Sequence, residues 1–210
     1  MPKTSIYYPP IGISGAALVG KDTLCNLFIE CFKKTYKIKA ERNSIAGDTI
    51  RKDLKGLILK KMGQEVDLND AEEKTLIRPL MVEYGRFMRN KTKGRYFIEE
   101  LEKNKSFCKN YVPIIPDIRY TEFEKDENHW LKQEKKGILI FLKRKGVKPA
   151  NHFEEINNLV LEKEADFVID VPNFEGNGSF LNDYIEYMDE IVNNIITIYL
   201  QDTFQLSNKS

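Results

Sequence analysis

Apolar residues along the chain fall into two kinds of stretch, short unbroken runs and longer segments with an apolar residue at every third or fourth place. The unbroken runs lie at 11–13, 111–116, 137–142 and 165–170. Such runs, bounded by polar residues, predict strands of a buried parallel sheet, covered on both faces. Residues 36–40, alternating with lysines, form a weaker fifth candidate. Helical spacing joins Leu24, Leu27, Phe28, Cys31 and Phe32, then Ile50, Leu54, Leu57 and Ile58. It recurs at Leu76, Leu80, Tyr84, Phe87 and Met88, and at Tyr96, Phe97 and Leu101. Pro79 is then expected near a helix start, where its missing N–H costs nothing. A long last helix over 181–200 carries Ile185, Met188, Ile191, Val192, Ile195 and Ile196 on one stripe. That stripe is read as core packing, with the face of a possible homodimer as the second option. Residues 62–73 read as a polar loop or an insertion into a helical subdomain, 122–136 as a charged outer helix with Phe123, Trp130 and Leu131 inward, and 173–179 as a glycine-rich turn. The polar tail from Gln201 is expected to fray. Strands alternating with helices predict an α/β fold with a doubly wound parallel sheet.

A chain of 210 residues with 41% hydrophobic residues is expected to form one domain with a sizeable core. The net charge of +1 gives no reason to expect nonspecific binding to nucleic acid or to a membrane. Three cysteines, Cys25, Cys31 and Cys108, form neither a disulfide framework nor a zinc pattern. No apolar run is long enough to span a bilayer, and residues 1–10 lack the apolar centre of a signal peptide. The chain reads as soluble and cytoplasmic.

The first strand candidate ends in Gly15-Ala16-Ala17-Leu18-Val19-Gly20-Lys21, and a helical segment follows at once. Strand, Gly-x-x-x-x-Gly-Lys and helix in that order are the context of a phosphate-binding P-loop. Gly15 and Gly20 let backbone N–H groups turn inward around an anion, the new helix points its positive end at it, and Lys21 adds a mobile charge. Ala16, Ala17, Leu18, Val19, Asp22, Thr23 and Leu24 complete the candidate cofactor-binding stretch. Asp22 stands where the usual motif has the hydroxyl that ligates Mg²⁺, and Thr23 follows one place later.

Further along, Arg78, Arg86 and Arg89 either converge on one anion or are solvated arginines on a surface helix. Asp117-Ile118-Arg119 follows a strand, where open α/β sheets bind ligands. There Asp117 suits a water-mediated Mg²⁺ contact and Arg119 a bidentate phosphate contact, or the two form a capping pair. Lys143-Arg144-Lys145-Gly146 suits a loop folding over phosphates. His152, taken alone, reads as structural or exposed, and Arg51 and Lys55 as a solvated face.

Gly-Lys-Asp-Thr near the head of the chain resembles the deoxynucleoside monophosphate kinases of tailed phages. Three further segments resemble the same family in the same order: Arg78-x-Leu80-Met81-x-x-x-Gly85, Asp117-x-Arg119, and Arg144 followed by His152-x-x-Glu155. The sequence departs from the family at Val82, Arg86, Phe123 and Leu18-Val19. The resemblance implies a P-loop nucleoside monophosphate kinase-like fold, with a helical substrate excursion over about 45–105 and a short lid over about 143–158. It implies transfer of the γ-phosphoryl of ATP, with Mg²⁺, to a deoxynucleoside monophosphate, in host cytoplasm if the chain is phage-encoded. Under it, Lys21, Asp22, Arg119 and Arg144 are catalytic, and Arg144 and His152 join the loop in binding ATP. Asp48, Arg78, Gly85, Asp117 and Arg119 bind the acceptor, and Thr23, Asp22 and Asp117 organise the metal. Two other readings remain: a kinase for another phosphorylated acceptor, such as phosphomevalonate or dephospho-coenzyme A, and a nucleotide-binding regulatory protein without turnover.

Overall fold

The computed structural model describes residues 5–68, 70–149, 151–172 and 180–207. The unbroken apolar runs become strands: β1 (Ile11–Gly15), β3 (Val112–Ile115), β4 (Ile138–Arg144) and β5 (Phe167–Val171). With β2 (Ala40–Arg42) they form one five-stranded parallel sheet in the order β2-β3-β1-β4-β5. Helices α1 (Lys21–Cys31), α2 (Gly47–Met62), α3 (Ala71–Thr92), α4 (Arg95–Glu102), α5 (Glu127–His129), α6 (His152–Glu164) and α7 (Phe180–Ser207) connect and cover it.

Because side chains alternate along a strand, the sheet has two apolar faces. Ile11, Ile13, Ile114, Ile140, Leu142 and Ile169 meet Leu24 and Phe28 of α1 and Met188, Val192 and Ile196 of α7. On the other face Ile115, Leu139 and Phe141 meet Ile118, Trp130, Leu131 and Leu161. Cys25 and Cys31 lie in the first cluster and Cys108 in the second, all three as free thiols. Among the described residues no helix is long and apolar enough to cross a membrane.

The strand order creates the crevice that matters. The chain leaves β1 over one flank to reach β2, and leaves β3 over the other to reach β4. The two connections diverge between the carboxyl ends of β1 and β3, which is where an open α/β sheet leaves room for a ligand.

Several boundaries differ from expectation. Residues 36–40 do not all extend: α1 runs on into a π-type turn, Phe32–Tyr36, closed by an Ile38 N–H donating to Phe32 O at 3.0 Å, so β2 starts at Ala40. Pro79 lies inside α3, not near its start. The true start is Asp70, whose carboxylate accepts the N–H groups of Glu72 and Glu73 at 3.0 and 2.9 Å, and the polar character of 62–73 concealed that cap. The segment 122–136 is helical only from Glu127, where Asp126 caps α5, and continues as a turn, Trp130–Glu134. Trp130 and Leu131 are fully buried in it. The tail from Gln201 continues α7 to Ser207, because Thr203 is buried and its hydroxyl donates to Tyr199 O at 2.8 Å. Tyr199 in turn donates to Pro9 O at 2.7 Å. The turn expected at 173–179 and the side chain of Ile185 lie outside the described residues.

Candidate functional site

The loop after β1 takes its shape from backbone conformations that its glycines supply. Gly15 and Gly20 have φ of 129° and 109°, in the region that side chains resist. A Cβ on Gly15 would stand 2.4 Å from the carbonyl oxygen of Leu142 on β4. Gly15→Ala should therefore lose about 3 kcal/mol or more of stability. A thermal melt of that variant, with phosphate binding measured beside it, checks both fold and loop.

Lys21 opens α1 and is only 8% exposed. Its Nζ donates to Gly15 O at 2.7 Å and Ala16 O at 2.6 Å, so the ammonium folds back into its own loop. Burial, and then the Arg119 guanidinium, lower its pKa to about 8, against the pull of Glu154, Asp22 and Asp117. Arg119, Glu154, Asp22 and Asp117 therefore lie near enough to Lys21 at the crevice to act on its charge.

Within the rest of the loop, Leu18 is 92% exposed at φ 65°, while Val19 is a core residue and Ala16 is buried. Ala17 and Gly20 are half-buried. Leu24 is also core, and its N–H already donates to Gly20 O at 3.0 Å, so it adds packing and no free donor. Asp22 pairs with Arg42 from the end of β2 at 2.6 Å, and Thr23 is exposed beside it.

Asp117 is engaged. Its carboxylate accepts from Ser44 Oγ at 2.6 Å, from Ile45 N–H at 3.0 Å and from Ala46 N–H at 3.4 Å. It thereby clasps the end of β3 to the entry of α2. Asp48 at the head of α2 pairs with Arg51 at 2.7 Å, both exposed. Among the described residues no group of three or more His, Cys, Asp and Glu side chains could hold a metal ion. The exposed oxygens of Asp22 and Thr23 at the loop are nevertheless the hard donors that suit Mg²⁺ when phosphate and water supply the remaining ligands.

Arg119 is exposed and has no hydrogen-bond or ion-pair partner for its guanidinium among the described residues. The three arginines of α3 do not converge. Arg78 is exposed, Arg86 pairs with Glu83 at 2.8 Å, and Arg89 is 4% exposed between Asp126 and Glu127. Gly85 lies where α3 crosses α2, with room for a Cβ only 3.2 Å from Ile50 Cδ1. Arg144 ends β4 on the α1–α7 face, and its Nε is buried without a hydrogen-bond partner among the described residues. His152 begins α6, largely exposed, with Nδ1 at 3.4 Å from Glu155 Oε2. In the segment 143–158, residues 143–144 are strand and 152–158 are helix, with Asn157 facing inward. No hydrogen bond or ion pair among the described residues joins Arg78, Arg144 or His152 to the centre around Lys21.

Sequence reasoning missed Arg42 and Glu154. Arg42 lies two residues beyond the weak strand candidate, so its place near a strand end was the available signal. Glu154 carried none beyond its position two residues after His152. No protein-family model matches the chain, and no curated protein matches it.

Proposed function

We propose that the protein is a P-loop kinase that moves the γ-phosphoryl group of ATP to a deoxynucleoside monophosphate. The observation that carries this reading is Lys21, buried in a glycine-flanked loop at the switch-point crevice, with the guanidinium of Arg119, which has no hydrogen-bond or ion-pair partner among the described residues, near enough to lower its pKa. Two cations close together, one bonded only to carbonyls, suit a ligand with more than one phosphate.

In the transfer, an oxygen of the acceptor phosphate forms a bond to the γ-phosphorus as the bond to the β–γ bridging oxygen breaks, giving two diphosphates. Such a reaction needs alignment and neutralisation of charge more than a protein base. Lys21 leaves the carbonyls of Gly15 and Ala16 for the donor phosphates, and the loop N–H groups hold their oxygens. Arg119 and Arg78 grip the acceptor phosphate, with Arg144 closing over the donor. Mg²⁺, when bound with ATP, supplies further neutralisation of the phosphates, and Asp22 and Thr23 are the residues to hold it or its waters.

One observation favours nucleotide binding without turnover as the second reading. Leu18 points outward and Val19 inward, so Lys21 is the only side-chain cation that the stretch 15–21 offers. A coupled ADP-release assay with each deoxynucleoside monophosphate separates the readings. ADP release that depends on a deoxynucleoside monophosphate supports the kinase, whereas tight ATP binding without release supports the alternative.

The ion pair with Arg42 assigns Asp22 a further duty, holding a neighbouring cation in place. Both side chains are more than a third exposed, so the pair itself adds about 0–1 kcal/mol. Asp22→Asn should keep MgATP affinity and stability and lower kcat. A large rise in the Mg²⁺ requirement at near-normal kcat would instead make Asp22 a direct metal ligand.

A further inference from the structure

Behind the crevice lies a buried network that nothing in the phosphate chemistry requires. Arg89 of α3 forks between two neighbouring carboxylates, Nη1 donating to Glu127 Oε1 at 2.6 Å and Nη2 to Asp126 Oδ1 at 2.5 Å. Its guanidinium lies over the Tyr120 ring, 3.5 Å from the centroid. The second oxygen of Glu127 accepts the N–H of Arg119 at 2.8 Å and that of Tyr120 at 3.2 Å. Asn157 of α6 accepts the next N–H, that of Thr121, at 2.9 Å. Buried side chains, not a helix or strand, therefore hold the main chain that carries Arg119.

The network is poorly suited to stability alone. One guanidinium faces two carboxylates that are each 1% exposed, and Arg89 Nε and Asp126 Oδ2 are buried without hydrogen-bond partners among the described residues. Burial, resisted by Arg89 and reinforced by Asp126, pushes the Glu127 carboxyl up. Buried ion pairs of this kind rarely exceed apolar packing in stabilising a fold. Its geometric effect is specific: it ties the backbone of Arg119 to α3, and Arg78 lies on the same side of α3 about three turns from Arg89.

We propose that Arg89 and Glu127 are positioning residues for Arg119, holding the guanidinium where an acceptor phosphate enters and locking that placement to the helix that carries Arg78. This rests on the reading of Arg119 as an acceptor-phosphate residue.

A double-mutant cycle tests it. In the wild-type background, Glu127→Gln should raise KM for the deoxynucleoside monophosphate about tenfold or more and leave KM for ATP within about twofold. In an Arg119→Ala background the same change should add less than about twofold, because the residue through which it acts is gone. An equal loss in both backgrounds, or a loss carried by ATP, would overturn the proposal. If Glu127→Gln fails to fold, Arg89→Lys keeps the charge without the fork and runs through the same cycle. Binding of inorganic phosphate, followed by the NMR signal of the Arg119 Nε–H, reads the coupling without turnover. Weaker phosphate binding in Glu127→Gln at the Arg119 signal supports the positioning role even if the wild-type protein phosphorylates no deoxynucleoside monophosphate. An unchanged titration overturns it.

Discussion

Replacing Lys21 with methionine should abolish phosphoryl transfer and, at neutral pH, leave the fold as stable as before or more so. The first half follows from position. A lysine that meets the transferring group is worth about 10²–10³-fold or more in rate, and no other side chain of the loop carries a positive charge. The second half follows from burial. Folding takes the Lys21 ammonium from an ordinary pKa of 10.5 to about 8, which corresponds to a cost on the order of 3 kcal/mol while the group is protonated. Below pH 8 both folded and unfolded chains hold the proton, so the whole cost is present. Between about 8 and 10.5 the unfolded chain binds more protons than the folded one, and stability should rise with pH relative to Lys21→Met. Denaturant unfolding of both proteins from pH 7 to 10.5 measures the difference. A methionine variant much less stable at pH 7 would show that the carbonyl contacts of Lys21 hold the loop together. The same reasoning makes phosphate binding proton-linked: above pH 8 the lysine must take up a proton to meet the anion, so affinity should fall.

Arg119→Ala should act on the other substrate. Charge-assisted bonds from an arginine fork to a phosphate contribute about 1.5–3 kcal/mol, so KM for the deoxynucleoside monophosphate should rise about 10–10²-fold. KM for ATP should move within about twofold, and kcat should fall as well if the contact tightens during transfer. Stability should change by less than about 0.5 kcal/mol, because the guanidinium is exposed and has no hydrogen-bond or ion-pair partner among the described residues. Steady-state kinetics with each substrate varied in turn gives the answer. An effect confined to ATP would move Arg119 to the donor side of the crevice.

The sheet was legible because four apolar runs are short and bounded by polar residues, which suits buried strands, and their alternation with helical spacing narrowed the fold class. The glycine loop was legible because strand, tight turn and helix follow one another directly in the sequence, and that succession places Gly15, Gly20 and Lys21 together. What stayed hidden depended on distant partners. Nothing in the spacing of Arg78, Arg86 and Arg89 says that the last of them is buried between Asp126 and Glu127, 37 and 38 residues away. Asp117 looks like a free carboxylate at a strand end, yet Ser44 and the backbone of 45–46 take it up. Thr203 looks like part of a polar tail, and only its bond to Tyr199, itself bonded to Pro9, shows why α7 continues. In each case the missing information was long-range pairing, which local periodicity does not encode.

The three buried thiols have a practical consequence. Burial raises the pKa of Cys25 and Cys108 to about 12 each and raises that of Cys31 as well, so at neutral pH almost no thiolate is present to attack a reagent or an oxidant. Modification must then wait for the surrounding structure to open, and its rate becomes a clock for that opening. Cys25 and Cys31 time the helix that follows the glycine loop, and Cys108 times the far face of the sheet. The protein thus has reporters of local breathing on both sides of its core, without any added label site.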